Sequence, residues 1–293
     1  MQLLDIPAAT QDDPRAQTYI VDRLAPGVEI QRRIQVQNNS DATQLVLVYP
    51  GAATISNGTF LGGNDPAVND LTTWTSIDQP QAEITANNST EITVTIAVPP
   101  DAPEGEQYAV IWAEVRSAPA DGSNIVQASR TGIRIYLSVG PGNGAPADFE
   151  VTSLTSNRDA EGNPTVTTLV SNTGGRALDI TGELTLTEGP SGLSAGPFPL
   201  QQTTTIAPGA NQNVTFALDA NLPNGPWKAL LTLKSGLIER TAMATFTFPD
   251  IGQGETVTPN EPSRTLWIIL GAGVFVIIGA VLWWLRHRNA RNK

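Results

Sequence analysis

"EITVTIAV" occupies residues 91–98. Ile92, Val94, Ile96 and Val98 fall on alternate positions, with Thr93 and Thr95 between them. Successive side chains of a strand point to opposite faces, so this stretch is a strand with one dry and one wet face. The same period returns in "IQRRIQVQN" (30–38), where Ile30, Ile34 and Val36 share a side, and in "TGIRIYLSV" (131–139), which aligns Ile133, Ile135, Leu137 and Val139. Helical periodicity is hard to find before the C-terminal segment. Many short strands punctuated by Pro, Gly and Asn predict an all-β chain of two tandem Ig-like β-sandwiches.

The strand set reads as running twice. "LAPGVEIQRRIQV" (24–36) matches "IAPGANQNVTFAL" (206–218), and "VPPDAPEGEQYAVIWAEV" (98–115) matches "ANLPNGPWKALLTL" (220–233). In each, a Pro/Gly turn feeds a strand. The Gly/Pro-rich "VGPGNGAPADF" (139–149) is the expected linker. The first sandwich is placed at 15–140 after an extension at 1–14, the second at 147–249, and a stalk at 250–263.

The chain closes on "LWIILGAGVFVIIGAVLWWL" (266–285), which carries no charge, followed by Arg286, Arg288, Arg291 and Lys293. Some 20 apolar residues are enough to cross a bilayer, and interfacial tryptophans belong at the ends of such a run. A transmembrane α-helix is therefore expected at 264–286, anchored by Trp267, Trp283, Trp284, Arg286 and Arg288, with a basic cytoplasmic tail at 287–293. Positive residues stay in the cytoplasm, so the expectation is a single-pass protein of the cell membrane with residues 1–263 outside. That part sets 28 Asp+Glu against 12 Lys+Arg, a formal charge of −16. Such a surface disfavours nucleic acid as a partner. No basic-plus-apolar leader precedes Arg15, so the chain is expected to lack its true start.

Catalytic equipment is scarce. The chain has no Cys, which removes thiol catalysis and Cys/His zinc sites. "GLSAG" (192–196) fits the nucleophile-elbow spacing around Ser194, but the single histidine is His287, beyond the expected span. No enzyme, no cofactor and no firm metal site are expected. A carboxylate pair acting on glycans is a third possibility in which nothing singles out the pair. "NRDAEGNP" (157–164) sets Asn157, Asp159 and Glu161 at alternate positions like the opening of a calcium loop. Thr168 stands where the closing bidentate Glu belongs, and the competing reading is a hairpin turn.

Trp112 and Trp227 lie in apolar runs, where a core position is the default. Trp74 follows the long polar stretch "SNGTFLGGNDPAVNDLTT" (56–73). A ring flanked by amides suits a sugar or peptide, so Asn57, Asn64, Asp65, Asn69 and Trp74 form the candidate recognition surface. The competing reading has Trp74 plugging the sandwich end. A further mode needs only a free sheet edge that accepts a partner's strand.

The first half resembles the N-terminal domain of the WxL-interacting proteins of Gram-positive bacteria. The matching stretches are "YIVDRLAPG" (19–27), "IQRRIQVQNNSDATQLVLVY" (30–49), "AATISNGTF" (52–60), "LTTWTSI" (71–77) and "VPPDAPEGEQYAVIWAEV" (98–115). The resemblance implies peptidoglycan binding, surface-protein partners, a second Ig-like domain and a membrane anchor in the lipid bilayer. The resulting expectation is a cell-surface binding or scaffold protein. The alternative is a structural or assembly subunit that recognises a protein by strand addition.

Overall fold

The computed structural model describes residues 1–63, 68–117, 126–141 and 146–260. The first unit contains β1 (Gln2–Leu3), β2 (Ile20–Leu24), β3 (Glu29–Gln37), β4 (Gln44–Ser56), β5 (Thr59–Gly62), the one-turn helix α1 (Asp70–Thr73), β6 (Thr75–Ile77), β7 (Gln81–Ile84), β8 (Ser89–Ala97), β9 (Gly105–Arg116) and β10 (Ala128–Val139). The second contains β11 (Phe149–Arg158), β12 (Pro164–Asn172), β13 (Leu178–Thr187), β14 (Ala195–Pro199), β15 (Thr204–Ile206), β16 (Asn211–Ala217), β17 (Gly225–Ser235), β18 (Ile238–Phe248) and β19 (Gly252–Val257).

Each unit is a two-sheet sandwich. The first packs β1-β3-β8-β6 against β2-β10-β9-β4, with β5 and β7 also on β4. The second packs β16-β12-β11-β19 against β14-β13-β17-β18, with β15 on β13. The alternation read from the sequence fills the interiors. Ile92, Val94 and Ile96 join Ile34, Ile111, Ile135 and Leu137 in one core, while Phe149, Phe216, Trp227 and Leu231 lie in the other. Such dry side chains are the main favourable term in folding.

The two sandwiches share a construction detail. Asn38 follows β3 and donates from Nδ2 to Ala42 O (2.8 Å) and Ile84 O (2.9 Å). Asn172 ends β12 and donates from Nδ2 to Arg176 O (2.8 Å) and Ile206 O (3.0 Å). Each Oδ1 accepts the backbone N–H two residues on, from Ser40 and Gly174. Both residues are buried. The equivalence therefore runs β3 to β12 and β8 to β16. This corrects the sequence pairing of 24–36 with 206–218, because β16 pairs with β12 as β8 pairs with β3. The match of 98–115 with 220–233 agrees with the fold, since Gly105 (φ 135°) and Gly225 (φ 118°) open β9 and β17 in the same way.

The expected stalk is partly sheet. Gly252–Val257 forms β19 on β11, and Asn260 bridges Met243 of β18 through two main-chain bonds. Edge strands are held by main-chain pairing and need little apolar surface, so "GQGETV" gives no periodic signal. Among the described residues no helix is long and apolar enough to cross a membrane. The expected span, with Trp267, Trp283, Trp284, Arg286 and Arg288, lies outside the described residues.

Candidate functional site

The units meet at a buried polar joint. Asp179 of β13 accepts Arg15 Nε at 2.8 Å on one oxygen. Its other oxygen accepts Tyr136 OH (3.1 Å), Thr205 Oγ1 (2.7 Å) and Arg134 Nη1 (3.3 Å). Arg15 Nη1 donates to Ala177 O at 2.9 Å, and its guanidinium lies 4.5 Å from the centre of the Tyr136 ring. From the first unit, Glu106 accepts Tyr108 OH (2.6 Å) and the Ala177 N–H (2.5 Å). Burial pushes the Glu106 carboxyl above its ordinary range, against those two donors. Burial likewise raises the Tyr136 phenol, and the Asp179 charge adds to it. For Arg15, burial works against the charge, and Asp179, Tyr136, Glu106 and Asp13 together more than offset it. Tyr136, Phe60 and Val110 close around Ala177 as a small apolar cluster. A buried ion pair is costly to break on one side, because the remaining charge is left in a dry site.

Beside this joint the first sandwich has an edge paired along only half its length. β2 runs parallel to β10 and covers Ile135–Val139. Among the described residues, Ala128–Arg134 are paired only with β9, on the other side. The Ser117 N–H bonds Gln127 O, which sets the alternation of this antiparallel ladder. Main-chain groups of Ala128, Arg130, Gly132 and Arg134 therefore point away from β9. Where β2 is present, the two sheets are bridged by Arg32 of β3, which clasps Asp22 of β2 with both prongs (2.6 and 2.9 Å). Along the bare half, the inward positions Ser129 and Thr131 are exposed, whereas Ile133, Ile135 and Leu137 are buried. The second unit's edge strand β16 differs, because its inward Val214 and Phe216 are both buried.

The candidate recognition residues lie apart from this edge. Asn57 (φ 48°) and Gly58 (φ 75°) form the tight β4–β5 turn, and Gly58 O accepts the Thr205 N–H from the second unit at 2.8 Å. Asn69 caps α1, accepting the Thr72 N–H at 3.0 Å and donating Nδ2 to Tyr108 O at 2.8 Å. Trp74 is half-buried against the first core, and its carbonyl accepts the Ala97 N–H. Asn64 and Asp65 lie outside the described residues. In "NRDAEGNP", Asp159 accepts the Asn163 N–H (2.7 Å) and Nδ2 (2.9 Å), which holds its carboxyl below the usual range. Asn157 lies in the ladder opposite Thr165. Among the described residues no three acidic, His or Cys side chains gather as a metal site. The half-bare edge and the joint were not found by the sequence reading. Arg15 and Asp179 are 164 residues apart, and neither has a local motif.

No protein-family model and no curated protein matches the chain. Solved structures do match. The YadV chaperone is 14% identical, covers 78% of this chain and 96% of its own, and has a TM-score of 0.44. The complex of the Salmonella enterica pilin SafA with the SafB chaperone gives 12% identity, 76% and 92% coverage, and a TM-score of 0.43. The E. coli chaperone DraB gives 14% identity, 84% and 95% coverage, and a TM-score of 0.39. The likeness is one of fold, an all-β two-sandwich arrangement. The expected membership of the WxL-interacting family is corrected, because no family model matches the chain. The Gram-positive, peptidoglycan-binding, single-pass membrane setting rested on that membership and on the C-terminal span. It is corrected with that membership, and the expected span itself lies outside the described residues.

Proposed function

We propose that this protein is a non-enzymatic assembly or binding subunit that recognises a protein partner by accepting one of its strands on the bare half of β10. The division into sandwiches at 15–140 and 147–249 belongs to the same proposal, with the buried joint holding the second beside the first. The observation that carries it is that, among the described residues, Ala128–Arg134 are paired on one side only, in line with β2 on the same edge. Unpaired N–H and C=O groups in a row are a template for another strand. An added strand there would continue the line of β2. A protein partner is also what some matched structures are described with, a pilin in one and a tip adhesin in others.

Amide hydrogen exchange tests this reading. A synthetic peptide of extended propensity, TEITVTIAV, is added to the protein. The amides of Arg130, Gly132 and Arg134 gain protection if a strand docks on this edge. Arg130→Pro removes an outward N–H without touching the ladder to β9, and loses that protection, while Arg130→Ala retains it. Protection confined to β16 or to no edge overturns the proposal.

A further inference from the structure

The bare half of β10 opens onto a groove of about 350 Å³ between the two sheets of the first sandwich. Its floor is Val36 of β3, Val46 of β4, and Ala113 and Val115 of β9. The first three are buried and Val115 is half-buried, so the floor is nearly dry. Ser129 and Thr131 stand at the inward positions of β10 beside it, yet both are exposed. They carry no apolar side chain to close the mouth. One end is rigid, because Asn38 is fixed by its bonds to Ala42 O and Ile84 O. Arg130 turns its side chain away from the groove, its guanidinium lying over the Trp112 ring on the outer face at 4.3 Å. The free edge and the groove are two independent features that one extended segment would occupy together. Inward side chains of a strand recur every second residue, about 6.8 Å apart, so two of them reach a mouth that spans Ser129 and Thr131.

Resting on the strand-addition reading above, we propose that the accepted segment is an extended stretch of a partner protein with branched aliphatic side chains at two alternate, inward positions and no charge at those positions. These side chains fill the mouth over Val36, Val46, Ala113 and Val115. The first sandwich then acts as the incomplete member of the pair, and the partner supplies the apolar residues that β10 lacks at Ser129 and Thr131. Selectivity follows from the floor. A polar or charged inward residue would be placed on dry methyl groups with no hydrogen-bond partner, which is unfavourable.

Two nonapeptides read by NMR on the full chain separate the possibilities. TEITVTIAV carries aliphatic residues at alternate positions, and TESTSTSAS keeps the backbone but replaces them with serine. The expected result is at least about tenfold tighter binding of the first, as follows from burying two aliphatic side chains. Its binding shifts the methyl signals of Val36, Val46 and Val115 together with the amides of Arg130, Gly132 and Arg134. Thr131→Ile, at an exposed position, plugs the mouth and weakens TEITVTIAV severalfold while the fold is kept. Equal affinity of both peptides with amide shifts alone overturns the side-chain inference and leaves strand addition standing. Methyl shifts without amide shifts overturn strand addition instead. No shift with either peptide overturns both.

Discussion

Arg15, from the N-terminal segment of the first unit, donates Nε to Asp179 of the second at 2.8 Å, with both side chains buried. Asp179 also receives Tyr136, Arg134 and Thr205, so one carboxylate organises donors from both sandwiches. Asp179→Ala leaves Arg15 charged in a dry site with one bond, to Ala177 O. A loss of about 3–5 kcal/mol is expected, as for breaking a buried pair from one side. By contrast Lys234 and Glu239 pair at 2.9 Å while half-exposed, where solvent screens the charges, and Glu239→Gln should cost far less. Urea denaturation of the two variants checks the contrast, and equal losses would show that the joint contributes no more than a surface pair.

The pH dependence of that joint is expected to centre on Glu106. Burial raises its folded pKa above the ordinary value of 4.5. The folded chain therefore holds the proton more tightly than the unfolded chain between 4.5 and the raised value. In that window the unfolded state binds fewer protons, so this group makes stability fall as pH rises through it. Below 4.5 both states are protonated and the contribution is flat. Glu106→Gln removes this slope, and subtracting its stability–pH curve from that of the parent isolates it. A difference curve that rises with pH across the window would mean that the donors Tyr108 and Ala177 outweigh burial.

What was legible in the sequence was whatever repeats locally. The period-two runs at 92–98 and 133–139 became core strands because alternation survives in any sandwich with one wet face. The pairing of "LAPG" with "IAPG" failed because Pro-Gly corners recur at many sandwich turns and do not identify a strand. The better marker was Asn38 against Asn172, visible only once both amides are seen to bridge the same pair of strands. The 250–257 segment looked like a stalk because an edge strand needs partners rather than apolar side chains. The bare half of β10 depends on where β2 stops, which no spacing along the chain encodes.

Asn38 and Asn172 should be equally costly to remove. Both are buried; Asn38 donates to the Ala42, Ile84 and Thr85 carbonyls and Asn172 to those of Arg176 and Ile206, each accepts one backbone N–H, and alanine would leave those groups unpaired. A loss of about 1–3 kcal/mol is expected for each. The two sites lie in different sandwiches, so the double variant should show additive losses. Thermal and urea unfolding of the two single variants and the double variant checks this. A loss at one site alone would break the structural equivalence of the two units.

Trp112 departs from its expected core position. It lies on the outer face of β9, on a bed of glycines from three strands. A Cβ on Gly51 would meet Trp112 Nε1 at 2.8 Å, on Gly62 it would meet Cζ2 at 2.5 Å, and on Gly132 it would meet Cε3 at 2.8 Å. Arg130 covers the ring from above at 4.3 Å. Gly62→Ala should therefore cost about 1–3 kcal/mol through overpacking. The indole N–H is buried without a hydrogen-bond partner among the described residues, so Trp112→Phe gives up no bond through it. The smaller ring leaves part of its bed unfilled, so the cost comes from lost packing and should stay below the roughly 3–5 kcal/mol of removing an aromatic side chain altogether. The smaller ring lacks the far atoms that a Cβ on Gly62 would strike, so Gly62→Ala should be milder in that background. A double-mutant cycle by urea denaturation measures this coupling, expected at about 0.5–3 kcal/mol in the relieving direction. Strict additivity would mean that the glycine bed is set by backbone geometry and not by the tryptophan lying on it.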